Sequence, residues 1–447
     1  MRDFDLIVLG GGNSMDVVRG CGEAGLSVAL VEEGPLGGTC PNRGCIPSKL
    51  VLAHADVAEG VRGAARFHVE ARLGSIDADR ILKETADYVS GFDGQLEEAL
   101  PDAVTLFRGR GAFVGERTVE VGGERLRGRH VVIATGSRPR RPDFDGPWWT
   151  SDDVFRLDRA PSSLTLVGGG FIACELAHFF HGVGVETRML VRDDVLLPAE
   201  DAEVRRAFQE AFVARVPVSF GAEVASLEHD GARFRGGLEG GGHFESEAVL
   251  FAIGRVPNSD GIGLETTGLE PNARGFIDVD DHLRTGVDGI HAMGDVAGRH
   301  MFTHAASWEA KYLARRILAK TDAPPDYVPL PHAVFTDPEV AGAGETEEAL
   351  KKAGKPYVKG TFPFKSATKG RAIKEEHGLA KLLLDPDGAI LGCHIVGAHA
   401  SILLHEVLPV MKWRNHVSSL TGIIHVHPSL PEVIRGVARK AEAALAG

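Results

Sequence analysis

Cysteine is scarce in this chain, five in 447 residues, and so low a content excludes a disulfide-stapled scaffold. Only Cys40 and Cys45 are close in sequence; Cys21, Cys174 and Cys393 sit among apolar or glycine neighbours and read as buried thiols. Positive charge is also short. Lys and Arg total 49 against 62 Asp and Glu, for a net charge of -13. That balance disfavours nucleic acid or an anionic membrane surface as partner, because phosphate binding needs clustered basic residues. No apolar run approaches the ~18 residues that span a bilayer. After Met1, Arg2 and Asp3 the chain runs directly into a strand-like segment, with no basic stretch ahead of a long apolar one. No secretory signal is visible, and a cytoplasmic protein is expected. Low-complexity tracts and short-period repeats are lacking as well.

What is present points to several domains. A chain of this length exceeds one ordinary core, and 43% hydrophobic with 25% charged residues is normal for a globular protein. An apolar run followed by glycines occurs twice: 6–9 before Gly10, Gly11 and Gly12, and 164–167 before Gly168, Gly169 and Gly170. Each turn leads, after roughly 15 residues, to another apolar strand, at 27–31 and 187–191. Two βαβ units, hence two nucleotide-binding domains of similar build, are predicted. Buried strands are expected again at 131–134, 249–253 and just before Gly294 and Asp295. Residues 139–147, rich in Pro and Arg, read as a connection. Beyond Pro324 and Pro325 the texture changes to a hairpin over 379–392 and helices over 400–413 and 430–445, a separate α+β domain.

In the first turn, Gly10 and Gly12 let the backbone approach a pyrophosphate at a helix N-terminus. Met15 stands where a third small residue is usual, and Glu32 ends the next strand where a ribose hydroxyl is normally accepted. The second turn, with Gly168, Gly170 and small Ala173, is the cleaner of the two. Its following strand ends in Arg192, which suits the 2′-phosphate of NADP, although a solvated strand-end Arg is the alternative reading. Cys40 and Cys45 flank four residues. A helix starting near Cys45 would lower that thiol's pKa, with Lys49 about one turn on. Half a zinc site or two inert thiols are the rival readings, and neither a second cysteine pair nor a suitable histidine spacing supports zinc. A flavin exchanging electrons with a sulfur pair fits best. His425 and His427 lie in a loop that ends at Glu432, a carboxylate able to orient an imidazole; His427 suits proton transfer to thiols, and a structural histidine pair is the alternative.

These residues resemble the class I pyridine nucleotide-disulfide oxidoreductases. The resemblance runs over essentially the whole chain, through the segment from Gly37 to Lys49, Thr135-Gly136, Gly168 to Glu175, 252–258 with Gly254, Gly294-Asp295, and His427-Pro428 with Glu432. It implies an α/β fold of two Rossmann-like dinucleotide-binding domains plus a C-terminal α+β dimerisation domain. The boundaries it implies are 1–150 for the first part of the FAD-binding domain, 151–270 for the NAD(P)-binding domain, 271–325 for the FAD-binding or central domain resumed, and 326–447 for the dimerisation domain. Cys40 resembles the thiol that exchanges with substrate and Cys45 the one facing the flavin. Lys49 and Glu175 resemble the ion pair beside the flavin ring, and Asp295 the residue holding the FAD chain, with Gly10, Gly12, Glu32, Thr135 and Gly136 around it. Gly168, Gly170, Ala173, Arg192 and Gly254 would take NADPH, with NADH possible. His427, oriented by Glu432, resembles the acid-base group that reaches the cysteines of the other subunit, so a homodimer with shared active sites is implied. The turn from Gly12 to Met15 and the segment 150–153 are most similar to mycothione reductase, a reductase of a small thiol's disulfide. Dihydrolipoyl dehydrogenase is the alternative, favoured by 46–49 and the two histidines. A mercuric reductase, lacking here its terminal cysteine pair, and a flavin-binding regulatory protein without turnover are further alternatives. Arg19, Arg43 and the segment 364–371 are candidates for gripping the rest of the substrate, Arg43 by selecting an anionic thiol.

Overall fold

The computed structural model describes residues 1–446. The first strand, β1 (Arg2–Leu9), buries all four residues from Leu6 to Leu9, as a central parallel strand covered on both faces must. It pairs in parallel with β2 (Val28–Glu32), reached through helix α1 (Met15–Glu23), and on its other side with Glu124–Ile133. The sheet has seven strands. Val104–Arg108 lies outside β2, Ile290–Ala292 pairs with Glu124–Ile133, and Thr118–Val121 and Ala112–Gly115 extend it antiparallel. The strand order reverses at β1, so a crevice opens at the carboxyl end of that strand.

Met15, too large for the usual close approach of helix to strand, is buried in a cluster with Leu6, Val8, Ala306 and Ala310. Small residues on the helix Thr303–Ile317 leave it room.

The second unit repeats the plan. Ser163–Val167 pairs in parallel with Glu186–Val191 and Ala248–Phe251, and Val218–Phe220 adds the edge. A two-stranded link, Ser137–Pro139 with Arg255–Pro257, joins the two units. The expected boundary at 270 shifts: Ile262, Leu264 and Leu269 pack with Phe113, Val119 and Ile277 under the first sheet. The chain therefore returns to the first unit soon after the link strand, because these apolar side chains find their burial there.

The third unit is a five-stranded antiparallel sheet covered by the helices Ala400–Trp413 and Pro431–Leu445. The expected hairpin is present as Leu379–Leu384 against Ile390–Val396. Phe364, in the candidate segment 364–371, is fully buried in this core. Among the described residues no helix is long and apolar enough to cross a membrane.

Candidate active site

Gly44 divides the cysteine segment into two helices. Helix α2 (Thr39–Arg43) ends at it and α3 (Cys45–Arg62) begins after it. A Cβ on Gly44 would lie 3.0 Å from the Thr39 carbonyl, so glycine permits the tight joint that folds one short helix back on the next. Cys40 thus sits in the first turn of α2 and Cys45 opens α3, and both sulfurs face one cavity of about 380 Å³.

The two thiols differ. The Cys45 pKa is pulled down to about 6 because Cys40 hydrogen-bonds to it, with further help from the Thr303 hydroxyl at 3.3 Å and the Lys49 charge, all against the cost of burial. Cys40 is pushed far up, because it gives its hydrogen bond to Cys45 and is itself buried beside a negative charge. The reduced pair therefore holds its charge on Cys45 and its proton on Cys40.

One turn into α3, Lys49 pairs with Glu175 at 2.8 Å, and Glu175 also accepts from the Phe335 amide at 2.9 Å. Farther along the cavity the first glycine turn forms a cradle. Gly10 has φ +101°, and a Cβ there would lie 2.4 Å from the Ala134 carbonyl oxygen. Glu32 accepts from the amides of Gly11 and Gly34, both at 2.6 Å, which fixes its carboxylate at the end of β2. Thr135 donates to the Asn258 carbonyl at 2.7 Å, and Gly136 follows with φ +70°. Asp295 accepts from Ser137, and Glu309 holds the same turn through the Gly294 amide at 2.6 Å. The side-chain-free cradle at Gly10 and Gly12, the fixed Glu32 carboxylate, Asp295 and the Lys49–Glu175 pair line one cavity with the sulfurs and would suit a dinucleotide cofactor such as FAD.

A second cavity of about 900 Å³ is lined by Gly168, Gly170, Arg192 and Gly254. Gly168 (φ +134°) approaches the Ala252 carbonyl as Gly10 approaches Ala134, and Ala173 lies buried beneath it. Arg192 is exposed at the rim, 3.5 Å from Asp193.

Cys40, Cys45, Lys49, Glu175, Gly10, Gly12, Glu32, Thr135, Gly136 and Asp295 thus share one cavity. His427 and Glu432 stand apart from it. The His427 Nδ1 is 3.0 Å from Glu432, which is also held by Arg435 at 2.6 Å. The His427 ring is 66% exposed, while His425 is buried against Glu406 at 2.8 Å. The hydrogen bond from His427 holds the Glu432 carboxyl below its usual range. Thr303, Ser137 and Glu309 were not anticipated. Thr303 meets Cys45 from 258 positions away, and no local pattern announces such a contact.

Residues 4–310 match the family described as pyridine nucleotide-disulphide oxidoreductase, and residues 330–438 match its dimerisation domain. The chain is 33% identical over 445 residues to the dihydrolipoyl dehydrogenase of Chlamydia muridarum, covering 96% of this chain and 95% of that one. It is 32% identical over 439 residues to the glutathione reductase of Burkholderia cepacia, covering 96% and 97%. Among solved structures, LpdA from Mycobacterium tuberculosis has the same fold, with a TM-score of 0.88 at 24% identity over 98% of this chain and 99% of that one.

Proposed function

The chain belongs to the pyridine nucleotide-disulphide oxidoreductases, and from that premise we propose that it reduces the disulfide of a small thiol, in the manner of mycothione reductase, with NADPH as the electron source. The observation that carries this is the pairing of Cys40 and Cys45 at the head of α3 with the charge held on Cys45. When bound, FAD supplies a ring that takes hydride from the nicotinamide and hands the electron pair to the sulfurs.

From the reduced pair onward the chain's own residues suffice. Cys40 must lose its proton before it can attack. His427 of the partner subunit takes that proton in this reading, its ring oriented by the carboxylate of Glu432. The Cys40 thiolate then attacks one sulfur of the substrate, and the departing thiolate receives the proton back. Cys45 attacks the mixed disulfide at Cys40, the Cys40–Cys45 bond re-forms, and the second half of the substrate leaves as a thiolate that takes a proton from solvent. In this reading two subunits share each site, a reading supported by the match of residues 330–438 to a dimerisation domain. Lys49 and Glu175 hold opposite charges beside the ring end of the cofactor cavity. The cytoplasm, where thiols are kept reduced, suits this cycle.

Arg192 at the rim of the second cavity supports NADPH, as a guanidinium pairs with a 2′-phosphate. A second reading has dihydrolipoamide reducing the sulfurs and NAD accepting the hydride; it is favoured by the relatives named dihydrolipoyl dehydrogenase. A steady-state panel separates the two, with mycothiol-type disulfides, oxidised glutathione and lipoamide each assayed with both nicotinamides. Preferred turnover of lipoamide with NAD would replace the first reading by the second. Cys40→Ser should abolish disulfide turnover while the protein stays yellow; retained turnover would refute the exchange role of Cys40.

A further inference from the structure

Arg43 ends α2, between the two cysteines in sequence, and its side chain lies on the dinucleotide side of the redox loop. It lines the cavity that holds the sulfurs and also an adjoining cavity of about 440 Å³ that extends past residues 109–111. The two cavities meet at Gly10, Glu32 and Glu33. Among the described residues that line them, Arg43 is the Lys or Arg common to both.

The other cations there are already engaged. Lys49 is held by Glu175 at 2.8 Å, Arg255 donates to Ser137 at 2.7 Å, Arg138 pairs with Asp260 at 2.8 Å, and Arg110 donates to the Asp260 carbonyl at 3.2 Å. Arg43 has one ionic neighbour, Asp152, with Nε to Oδ2 at 3.5 Å. A charge-assisted hydrogen bond is shorter, about 2.7–2.9 Å. Arg43 Nε and Asp152 Oδ1 are both buried and both without a hydrogen-bond partner. The Arg43 side chain is 32% exposed, but its buried Nε lacks a partner beside a glycine turn shaped for phosphate, and an anionic acceptor would satisfy it.

We propose that Arg43 is a cofactor-binding residue whose guanidinium grips the pyrophosphate of FAD, with Asp152 orienting it. This rests on the reading of the large cavity as the FAD site. It stands as an alternative to the expectation that Arg43 selects an anionic substrate thiol, since Arg43 lines both cavities together with Gly10 and Glu32. Because Arg43 belongs to the same short helix as Cys40, the grip also ties the redox segment to the cofactor.

The test is titration of apoprotein, prepared from the holoenzyme, with FAD, followed by quenching of flavin fluorescence. Arg43→Met should raise the dissociation constant roughly ten- to a hundredfold, the range for one lost hydrogen-bonded charge contact. The wild-type constant should also rise more steeply with added salt than that of the variant. Arg43→Gln, which keeps polar bulk without charge, takes the place of Arg43→Met if circular dichroism shows that the latter has not folded. Equal FAD affinity in wild type and variant, with KM for an anionic disulfide raised instead, would overturn the assignment and restore substrate selection. Wild-type apoprotein that takes up no FAD would sink the cofactor-site reading itself, a result distinct from tight binding that Arg43→Met leaves unchanged.

Discussion

Cys45 carries the charge of the reduced pair because every group within reach favours it there: the Cys40 thiol, the Thr303 hydroxyl and the Lys49 ammonium. Burial opposes them and loses. Folding brings the pKa from 9.0 to about 6, so the thiolate's contribution to stability of the reduced protein is complete above pH 9.0 and is lost as the pH falls through about 6. Thiolate absorbance of the reduced wild type should therefore titrate near pH 6 and be missing in Cys45→Ser. Thr303→Val removes a hydrogen bond to a charged acceptor, worth about 1.5 kcal/mol, so the midpoint should rise by about one unit. An unmoved midpoint in that variant would take Thr303 out of the account. Lys49 and Glu175 follow the same logic from the other side. A carboxylate with 6% side-chain exposure is tolerable because an ammonium and an amide both reach it.

At the scale of elements, the two glycine turns are alike in build and line different cavities. Gly10 and Gly168 each leave 2.4 Å between a hypothetical Cβ and a carbonyl oxygen of the neighbouring strand's end. Alanine at either must move backbone, and the positive φ adds strain. Gly10→Ala should yield a protein that loses FAD on gel filtration. Gly168→Ala should stay yellow yet need much more nicotinamide for half-maximal rate. Loss of flavin from both variants would mean that the turns are not independent sites. Both turns were legible in the sequence because an apolar run ending in glycines has few structural meanings. The hairpin expected over 379–392 was legible from its turn residues and runs on to Val396, and the helix Ala400–Trp413 was legible from its periodicity. The boundary near 270 was not, since residues 258–270 carry no periodicity and their allegiance is decided by where Ile262 and Leu264 find apolar partners. Nor was the second cavity that Arg43 lines, because residues 109–111, which Arg43 meets there, are distant from it in sequence. Met15 read as a weakness, yet Ala306 and Ala310 on a distant helix make room for it.

At the scale of the whole molecule, two contacts govern assembly. Lys381, with 0% exposure, bonds Asp201 at the head of the second unit's helix Ala202–Val213 and Glu347 in its own unit. Lys381→Met strands Asp201 as a buried charge and should cost about 3–5 kcal/mol in denaturant unfolding; a loss below about 1 kcal/mol would mean that water relieves the site. The second contact lies outside the single chain. Beside His427 in sequence the third unit exposes Ile424 at 100% and Val426 at 74%, bare apolar side chains of the kind that mark an interface. The dimerisation-domain match covers this region. In a two-fold dimer one substitution acts at both copies of the contact. Burying one isoleucine is worth about 1.5–3 kcal/mol, and a carboxylate in its place adds a desolvation cost. Ile424→Glu should therefore elute at monomer mass, keep its flavin spectrum, because the cofactor cavity lies within one chain, and lose disulfide turnover if, as proposed, His427 serves the cysteines of the other subunit. A yellow monomer that still turns over disulfide would end the shared-site account, and a persistent dimer would show that this face is not what joins the subunits.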